Sequence, residues 1–495
     1  MINKQYLYQL YRSKRYLLLF ILILYLLFAT SEFFARDPVC FNAWQLITTL
    51  VATYGMPTLI FSYIHDRKAI DCYGSLPLSR KELLVTALLF CNLSIFVPLS
   101  ISFVLGGFLT GFSVELLAYW LTMSFCVVVL VGFNAAIYLL ANSIFDGLAM
   151  IGAYTFLPIY LGIAISFFLN TFVYGYQVNI TEYFLPMTLP ANMMMLYSYF
   201  EHSFIFGPIA LAEVPRYLIT LAVYGILAYS LLWRGFKHRK LERAGQPSDG
   251  FFAYPLIINL YTVLSLLIAT SEVYSYEITK WSDVSQYLFL YILILAVYVV
   301  ANFIYRKRLY LSFKSLALFV TTVLVSLGLC FAANNSSGFG LAYKFGPDSE
   351  NYSFELYSAY SVNYLNTMLK ASGIAVDQND YCYLNIATKG KLDEETLTFF
   401  NDLRLEAIER HYAHEYLREN WHLSLRDGIS ESDKHYLVDK YYHYLNIRPL
   451  TFEELLKLSK KEELKITIDC SKNICELRNG ELIVIESFED TIYYD

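Results

Sequence analysis

The stretch His65-Asp-Arg-Lys-Ala-Ile-Asp-Cys-Tyr-Gly-Ser-Leu-Pro-Leu-Ser-Arg-Lys-Glu82 is polar and lies between two apolar runs, 44–64 and 83–109. Each run is long enough to cross a bilayer, because a spanning helix needs about 20 apolar residues. The stretch carries four basic residues: Arg67, Lys68, Arg80 and Lys81. Since loops rich in lysine and arginine remain in the cytoplasm, residues 65–82 are predicted to form a cytoplasmic loop between two spans and a docking surface for a cytoplasmic partner.

The whole chain combines a membrane-protein composition with an acidic C-terminal part. Its 495 residues are 57% hydrophobic and only 16% charged, whereas soluble domains average about 25% charged residues. Residues 334–495 contain 17 Lys+Arg and 28 Asp+Glu, which gives them a formal charge of -11, while residues 1–333 carry +5. We therefore predict an α-helical polytopic membrane protein with a C-terminal α+β domain.

Nine segments are long and apolar enough to span a membrane. They are roughly 16–34, 44–64, 83–109, 114–142, 147–170, 214–233, 255–271, 285–305 and 314–333. With a cytoplasmic N-terminus, the inner segments contain 17 of the 20 basic residues of positions 1–333, and only Arg36, Arg216 and Lys280 lie outside. This asymmetry predicts a multi-pass protein of the plasma membrane whose C-terminal domain is extracytoplasmic.

The outer segment 171–213 is too apolar for a solvated loop and too interrupted by proline for a span. Short re-entrant or interfacial helices are predicted there, because irregular backbone at membrane depth must be covered by protein or face water. Its Met193-Met194-Met195 run either lines an exit path or anchors the segment at the interface. Two asparagines within spans, Asn92 and Asn134, either contact a substrate or form hydrogen bonds between helices, and the second interpretation is favoured.

The C-terminal part has its own pattern of helices and strands. We predict a linker at 334–340, a strand at 380–388, helices at 392–419, 432–445 and from Thr451, and a meander at 464–470, 474–478 and 481–487. Thr451 and Glu454 have capping-box spacing, and Asn479-Gly480 is typical of a two-residue hairpin turn. Cys470 and Cys475 flank a tight turn, so they are a candidate disulfide; two free thiols are the alternative.

The sequence contains no motif for catalysis. GxxxxGK[ST], HExxH, GxSxG and paired CxxC are all missing from it, so no phosphate cradle or metalloprotease site of those kinds is expected. His411, His414 and Glu415 share a predicted helix, but a metal site would need further ligands. We interpret them as a solvated helix face and expect no metal and no catalytic residue.

Two residues of the opening stretch predict its local shape. Ser79 is placed to cap the helix that becomes the third span, and Pro77 ends any helix that enters from the other side. The result would be a short interfacial helix, a rigid elbow and then a span. Such an element would transmit a movement of a cytoplasmic partner to the membrane-spanning helices.

Ser75-Leu-Pro-Leu-Ser-Arg-Lys81 resembles the cytoplasmic coupling segment of type-2 ABC exporter permeases, which often reads SLPxSR. After the sixth span, Lys240-Leu-Glu-Arg-Ala-Gly245 resembles the RxSERAG segment of a Gram-positive subgroup. The apolar segment between spans five and six also fits the six-span core of that family. These likenesses cover residues 1–250 or so. Spans seven to nine and the external domain depart from the core and resemble an extended subgroup linked to antimicrobial-peptide resistance or cell-envelope stress.

The resemblance implies a transporter subunit rather than an enzyme. ATP would bind to separate cytoplasmic P-loop ATPase subunits, and a second permease subunit, identical or different, would pair with this one in the lipid bilayer. The implied ATPase-coupling residues are Ser75, Leu76, Pro77, Leu78, Ser79, Arg80 and Lys81, with Arg243, Ala244 and Gly245 as a second contact. The implied activity is export of, or resistance to, an amphipathic peptide, an antibiotic or a lipid-like substrate.

The predicted organisation has three parts. They are a permease core at 1–250, with the coupling segment 65–82 and the outer segment 171–213; three further spans at 251–333; and the external domain at 334–495. Asn92, Asn134, Met193, Met194 and Met195 are the candidate substrate path. No cofactor of its own and no nucleic-acid partner are expected. The alternatives are a polytopic sensor whose external domain detects an envelope ligand, and a membrane enzyme that acts on lipid-linked sugars.

Overall fold

The computed structural model describes most of the chain, in two compact units. The described residues are 2–31, 43–174, 176–177, 184–206, 214–238, 244, 246, 248, 250, 252–275, 281–306, 312–344, 352–358, 382–388, 393–412, 421–427, 442–448, 450–470, 473–479 and 481–487. The first unit comprises 1–164, 181–266 and 288–322, and the second comprises 165–180, 267–287 and 323–495.

Long helices dominate residues 2–344 of the described chain. They are α1 (Lys4–Ser31), α2 (Ala43–Ile60), α3 (Arg67–Gly74), α4 (Arg80–Thr110), α5 (Val114–Leu140), α6 (Ile144–Phe172), α7 (Leu189–Phe206), α8 (Val214–His238), α9 (Tyr254–Ser275), α10 (Trp281–Arg306), α11 (Phe313–Asn335) and the short α12 (Leu341–Lys344). A 3-10 turn at Phe61–His65 extends α2.

Eight helices among the described residues are long and apolar enough to cross a membrane. They coincide with predicted spans two to nine, so the chain is an α-helical polytopic membrane protein. The predicted first span, 16–34, falls on the C-terminal half of α1, which is not one of the eight. The first half of α1 is strongly basic. The first span therefore stays a prediction.

Buried polar contacts join the helices of the first unit. The Asn134 side chain on α5 is fully buried and its Nδ2 donates to the Thr53 carbonyl on α2, over 3.0 Å. Gln45 Nε2 on α2 donates to Ser102 Oγ on α4 over 2.6 Å. In an apolar surrounding, a polar side chain without a partner would be costly. These bonds confirm the interhelical interpretation for Asn134.

The second unit contains one eight-stranded antiparallel sheet. Its strands are β1 (Tyr176–Gln177), β2 (Tyr352–Ser358), β3 (Cys382–Thr388), β4 (Trp421–Asp427), β5 (Tyr442–Ile447), β6 (Leu464–Cys470), β7 (Asn473–Arg478) and β8 (Glu481–Ser487). Their order across the sheet is β1-β5-β4-β2-β3-β6-β7-β8. Two helices, α13 (Glu394–Tyr412) and α14 (Phe452–Leu458), supply apolar side chains to the same core.

The core of this unit follows the alternation of the strands. Leu384 and Ile386 on β3 are buried, as are Ile466 and Ile468 opposite them on β6. Phe400 on α13 is fully buried in the same cluster. Because alternate side chains of a strand face opposite sides of a sheet, one face of the sheet is covered by helix. This is the α+β arrangement that the sequence predicts.

Several predicted elements of the C-terminal part are confirmed and others are wrong. The meander strands and the helix at Thr451 are present, and Thr451 forms the expected capping box with Glu454. Asn479 has a φ of 52°, as a two-residue hairpin turn requires; Gly480 lies outside the described residues. However, 442–447 is the strand β5 and not the end of a helix at 432–445. Residues 428–441 lie outside the described residues.

The outer segment 171–213 contributes to this sheet. Its residues Tyr176 and Gln177 form β1 and pair antiparallel with His443 and Tyr442 of β5. The same segment contains α7, an 18-residue helix. Residues 178–183 and 207–213 lie outside the described residues.

The predicted linker at 334–340 is a tight turn. Helix α11 continues to Asn335, and Ser337, Gly338, Phe339 and Gly340 all have positive φ values between 52° and 73°. Gly338 N donates to the Ala333 carbonyl over 2.8 Å, which closes the end of the helix. The chain therefore leaves α11 along a fixed path.

Candidate functional site

The candidate site is the elbow at residues 75–81, which links α3 to α4 and includes the first two residues of α4. Leu78 N donates to the Leu76 carbonyl over 2.7 Å, which closes a three-residue γ-turn centred on Pro77. The pyrrolidine ring holds φ near -65°, close to the value that such a turn needs. Proline therefore predisposes the chain to this bend.

The first turn of α4 is capped from both sides. Ser79 Oγ accepts from Glu82 N, and the Glu82 carboxylate accepts from Ser79 N over 2.9 Å. This capping box satisfies donors that a helix start otherwise leaves unpaired. It confirms the prediction that Ser79 is the N-cap. Hydrogen bonds therefore fix the backbone of the elbow both at the bend and at the start of α4.

The elbow presents polar residues outward and apolar residues inward. Ser75, Pro77, Ser79, Arg80 and Lys81 are exposed, whereas Leu76 and Leu78 are partly buried. The two leucines pack against the hydrophobic core of the first unit. A force on the exposed tip would therefore reach that core through side chains already in contact.

Helix α3 is anchored to the same core through one aromatic side chain. The Tyr73 ring stacks on Tyr63, with centroids 4.1 Å apart and planes at 26°. It also meets Tyr6 of α1 edge-on at 6.2 Å. Aromatic pairs of this geometry contribute about 0.5–1.5 kcal/mol beyond their buried area. The short α3 is thereby connected to α1 and to the end of α2.

The elbow also contacts the C-terminal end of α8. Arg80 Nη1 donates to the Lys237 carbonyl over 3.4 Å, where the negative end of the helix dipole favours a cation. Lys81 Nζ lies 5.5 Å from the centroid of the Trp233 ring, within cation–π range. Helix α8 leads directly into the second predicted ATPase contact. Ala244 of that contact is buried, and Arg243 and Gly245 lie outside the described residues.

Two further hydrogen bonds fix the start of α6. One joins it to the chain that precedes α9, and the other joins it to α9 itself. Asn142 N donates to Ser248 Oγ over 2.9 Å, and Tyr254 Oη donates to Asp146 Oδ1 over 3.3 Å. Asp146 is only 4% exposed. Asp146 precedes the predicted span 147–170 by one residue, and the sequence does not predict its burial. Its spacing from Ser143, whose hydroxyl accepts from Asp146 N, is a helix-start signal.

The candidate substrate-path residues occupy different environments. Asn134 and Met193 are buried, Met194 is 50% exposed, and Met195 packs partly buried on the core of the first unit. Asn92 Nδ2 donates to the Leu88 carbonyl one turn earlier. None of the five lines the cavity between α1 and α4 or the cavity among α6, α9 and α10. The substrate path stays a prediction.

For the candidate disulfide between Cys470 and Cys475, the structure describes the side chain of Cys475 only. Cys475 is a free, fully buried thiol. The register explains this result, because Cys475 lies opposite Ile468 while Cys470 lies opposite Asn473 and Cys382. The alternative of a free thiol at Cys475 is correct.

The helix α13 carries one of the three residues considered for a metal. His411 stacks on Tyr174 with centroids 3.6 Å apart and nearly parallel rings; His414 and Glu415 lie outside the described residues. Across the part of the chain that the structure describes, no three His, Cys, Asp or Glu side chains gather as a metal site would require.

Comparisons of the chain with protein-family models, with curated proteins and with solved structures found no match.

Proposed function

We propose that this chain is the membrane-spanning permease subunit of an ATP-driven exporter and that the elbow at Ser75–Lys81 docks on a separate cytoplasmic ATPase. The observation that carries the proposal is the elbow itself. Its tip is exposed, its bend is fixed by Pro77 and the Ser79 cap, and its leucines reach the packed spans. A loop that was only basic would explain the charges but neither the bend at Pro77 nor the Ser79 cap nor the packed leucines.

The contact between the elbow and α8 supports the same proposal. The two motifs that resemble ATPase contacts are far apart in sequence, yet Arg80 bonds the α8 end at Lys237, six residues before Arg243. One docked partner is therefore able to touch both segments. ATP-driven movement of that partner would favour one packing of the spans over another, which is the differential interaction that a conformational shift requires.

The pairing of β1 with β5 supports the proposed topology. Strand β1 belongs to the segment 171–213, and β5 belongs to the C-terminal domain. The distribution of lysine and arginine predicts both to be extracytoplasmic. Two strands of one sheet must share a side of the membrane, and the predicted topology meets this requirement.

The proposed substrate is an amphipathic peptide, an antibiotic or a lipid-like molecule, as the resemblance implies. The acidic C-terminal domain, at -11 for residues 334–495, would attract a cationic amphiphile through complementary charge. Pairing with a second permease subunit is part of the same proposal. A sensor remains the second candidate, because the same acidic domain would serve to detect an envelope ligand.

The experiment is affinity purification of the tagged chain from native membranes in mild detergent, with mass spectrometry of the proteins that co-purify. The wild-type chain is expected to retain a P-loop ATPase. The variant Pro77→Ala, Arg80→Glu is expected to lose it, because the bend relaxes and the charge at the tip is reversed.

A matched control is Lys314→Glu, which reverses one exposed charge at another predicted cytoplasmic position. This control is expected to retain the ATPase. Loss of the ATPase from both variants would indicate a general charge effect and would contradict docking at the elbow. If no ATPase co-purifies with any of the three proteins, the sensor is favoured.

A further inference from the structure

A groove between α1 and α4 has the properties of a lipid-binding site. Its volume is about 580 Å³, within the range of small-molecule sites. Both walls belong to the first unit, and Asn3 N donates to Thr86 Oγ1 over 3.1 Å at the end where α1 begins. Because the groove lies between helices of a membrane protein, its natural occupant is a molecule of the bilayer.

The α1 wall is divided into a polar half and an apolar half. Lys4, Tyr8, Tyr11 and Arg15 line the first half, with Leu7 among them, and Leu18, Leu19 and Leu22 line the second. The polar residues recur every three or four positions, so they form one stripe along the helix. The α4 wall offers apolar Phe90, Leu93, Val97 and Pro98, with Ser94 among them. The groove therefore matches a molecule with a polar head and an apolar tail.

The charge of the polar half selects an anionic head. Helix α1 contains four basic residues and no aspartate or glutamate. Arg15 is exposed; its Nη2 donates to Tyr16 Oη over 2.9 Å, and its guanidinium lies 4.8 Å from the centroid of that ring. A guanidinium has five donors in a fork that suits phosphate, so one bond to Tyr16 leaves several for a ligand. Arg15 lies at the junction between the polar and apolar halves.

The tyrosines place this region at the surface of the bilayer. Tyr8, Tyr11 and Tyr16 are 65%, 55% and 72% exposed, and tyrosine is enriched where the bilayer meets water. The negative cytoplasmic leaflet attracts basic segments at that level. The predicted cytoplasmic N-terminus puts the polar half on that leaflet.

We propose that the groove binds one anionic phospholipid, with the lipid phosphate on the guanidinium of Arg15 and the acyl chains along the apolar half. Tyr11, one turn before Arg15, offers a hydroxyl to the same headgroup. Lys4 lies about 16 Å further along the helix axis, at 1.5 Å per residue, and adds to the positive potential. This inference rests on the membrane character of the chain and does not depend on transport.

The test is a lipid titration of the purified full chain in detergent, followed by native mass spectrometry. Phosphatidylglycerol is compared with phosphatidylcholine for the wild type, Arg15→Gln and Arg12→Gln. Arg12 is the matched control, because it is an exposed arginine of the same helix that does not line the groove. Equal melting temperatures of the three proteins in phosphatidylcholine verify that all are folded.

The wild type is expected to bind phosphatidylglycerol more tightly than phosphatidylcholine. Arg15→Gln is expected to weaken phosphatidylglycerol binding about tenfold, as loss of a hydrogen bond between charged groups implies, and Arg12→Gln is expected to leave it unchanged. An equal loss in both variants would mean diffuse charge attraction and would overturn the site. Equal binding of the two lipids would also overturn it.

A further arm separates a lipid from a free anion. Bound phosphatidylglycerol is expected to raise the melting temperature of the wild type. Inorganic phosphate is then added to the wild type at the concentration at which phosphatidylglycerol has this effect. No rise is expected, because the apolar half contributes only when acyl chains are present. An equal rise with inorganic phosphate alone would contradict the proposal.

Discussion

At the scale of single residues, a bidentate ion pair of the C-terminal domain joins Arg448 to Glu454. Arg448 Nη1 donates to Glu454 Oε2 over 2.9 Å and Nη2 donates to Oε1 over 2.6 Å. Glu454 also accepts from Thr451 N over 2.7 Å. The hydrogen bonds from Arg448, followed by those from Thr451, outweigh the effect of burial and lower the pKa of Glu454 to about 2.

This lowered pKa predicts a stability that depends on pH. An unfolded Glu titrates near 4.5, so the unfolded chain binds protons first and the contribution of Glu454 is lost as the pH falls from about 4.5 towards 2. Glu454→Gln is expected to lower the stability of the domain by about 1–3 kcal/mol at pH 6. Thermal melting of the full chain from pH 6 to pH 3.5 should show this difference shrinking.

The neighbouring Glu453 provides the control, because it is exposed in the same helical turn. Glu453→Gln is expected to have little effect at either pH. A difference between wild type and Glu454→Gln that stays constant down to pH 3.5 would contradict the assigned role of the ion pair.

The thiol of Cys475 is expected to be unreactive in the folded protein. It is fully buried, and burial raises its pKa, so little thiolate is available to react. N-ethylmaleimide is expected to modify Cys475 only after denaturation, as read by mass spectrometry of the digested chain. A Cys470–Cys475 peptide pair in a digest without reductant would show instead that the two are bridged.

At the same scale, the sequence predicts a residue well when the signal is local. Ser79 with Glu82, and Thr451 with Glu454, are capping boxes in which both partners lie within four residues. Cys475 could not be assigned in this way, because its state depends on the register of β6 against β7. Buried Asp146 was missed for a related reason, since its partner Tyr254 is more than one hundred residues away.

At the scale of elements, apolar length predicts the membrane-spanning helices, whereas the local sequence pattern predicts only some of the strands. The eight spans appear within a few residues of their predicted positions. By contrast, β5 was predicted as helix and β2 and β4 were not predicted. The strand β5 is stabilised on one side by β1 and on the other by β4. Strand β1 lies more than 260 residues before β5, so the local pattern of 432–445 does not reveal this partner.

The turn after α11 gives a prediction at this scale. A Cβ on Gly338 would lie 2.6 Å from the Phe172 carbonyl oxygen, and the residue has a φ of 64°. Left-handed backbone costs a residue with a side chain about 1–2 kcal/mol, and a clash with backbone adds to this cost. Gly338→Ala is therefore expected to lower the melting temperature of the full chain by several degrees.

Gly328→Ala, in α11 before the turn, is the control. No atom lies within 4 Å of a Cβ built there, and alanine favours a helix over glycine by about 1 kcal/mol. This variant is expected to melt at the wild-type temperature or slightly above it. Equal melting of the two variants would show that residues 336–340 tolerate other conformations and would contradict a fixed turn.

At the scale of the whole molecule, the distribution of charge and the sheet lead to one topology. The basic residues of positions 1–333 predict that the elbow is inside, and the pairing of β1 with β5 requires the segment 171–213 and the C-terminal domain to lie on one side of the membrane, which the same residues predict to be the outside. The proposed exporter needs a cytoplasmic elbow, because the elbow must contact a cytoplasmic ATPase. It also needs an external C-terminal domain, because that domain is proposed to attract the substrate. The topology is therefore the property on which the proposed function most depends.

Cysteine labelling in intact cells tests this topology. Ser75→Cys places a thiol at the exposed elbow, and Lys457→Cys places one on an exposed position of α14. A membrane-impermeant maleimide is expected to label Lys457→Cys in intact cells and Ser75→Cys only after permeabilisation. The unmodified chain, with its eight native cysteines, supplies the background.

Labelling of both variants from outside would place the elbow away from any cytoplasmic ATPase and would remove the basis of the exporter proposal. Labelling of neither until permeabilisation would put the acidic domain in the cytoplasm, and a cationic substrate captured outside the cell would then have no surface on which to bind.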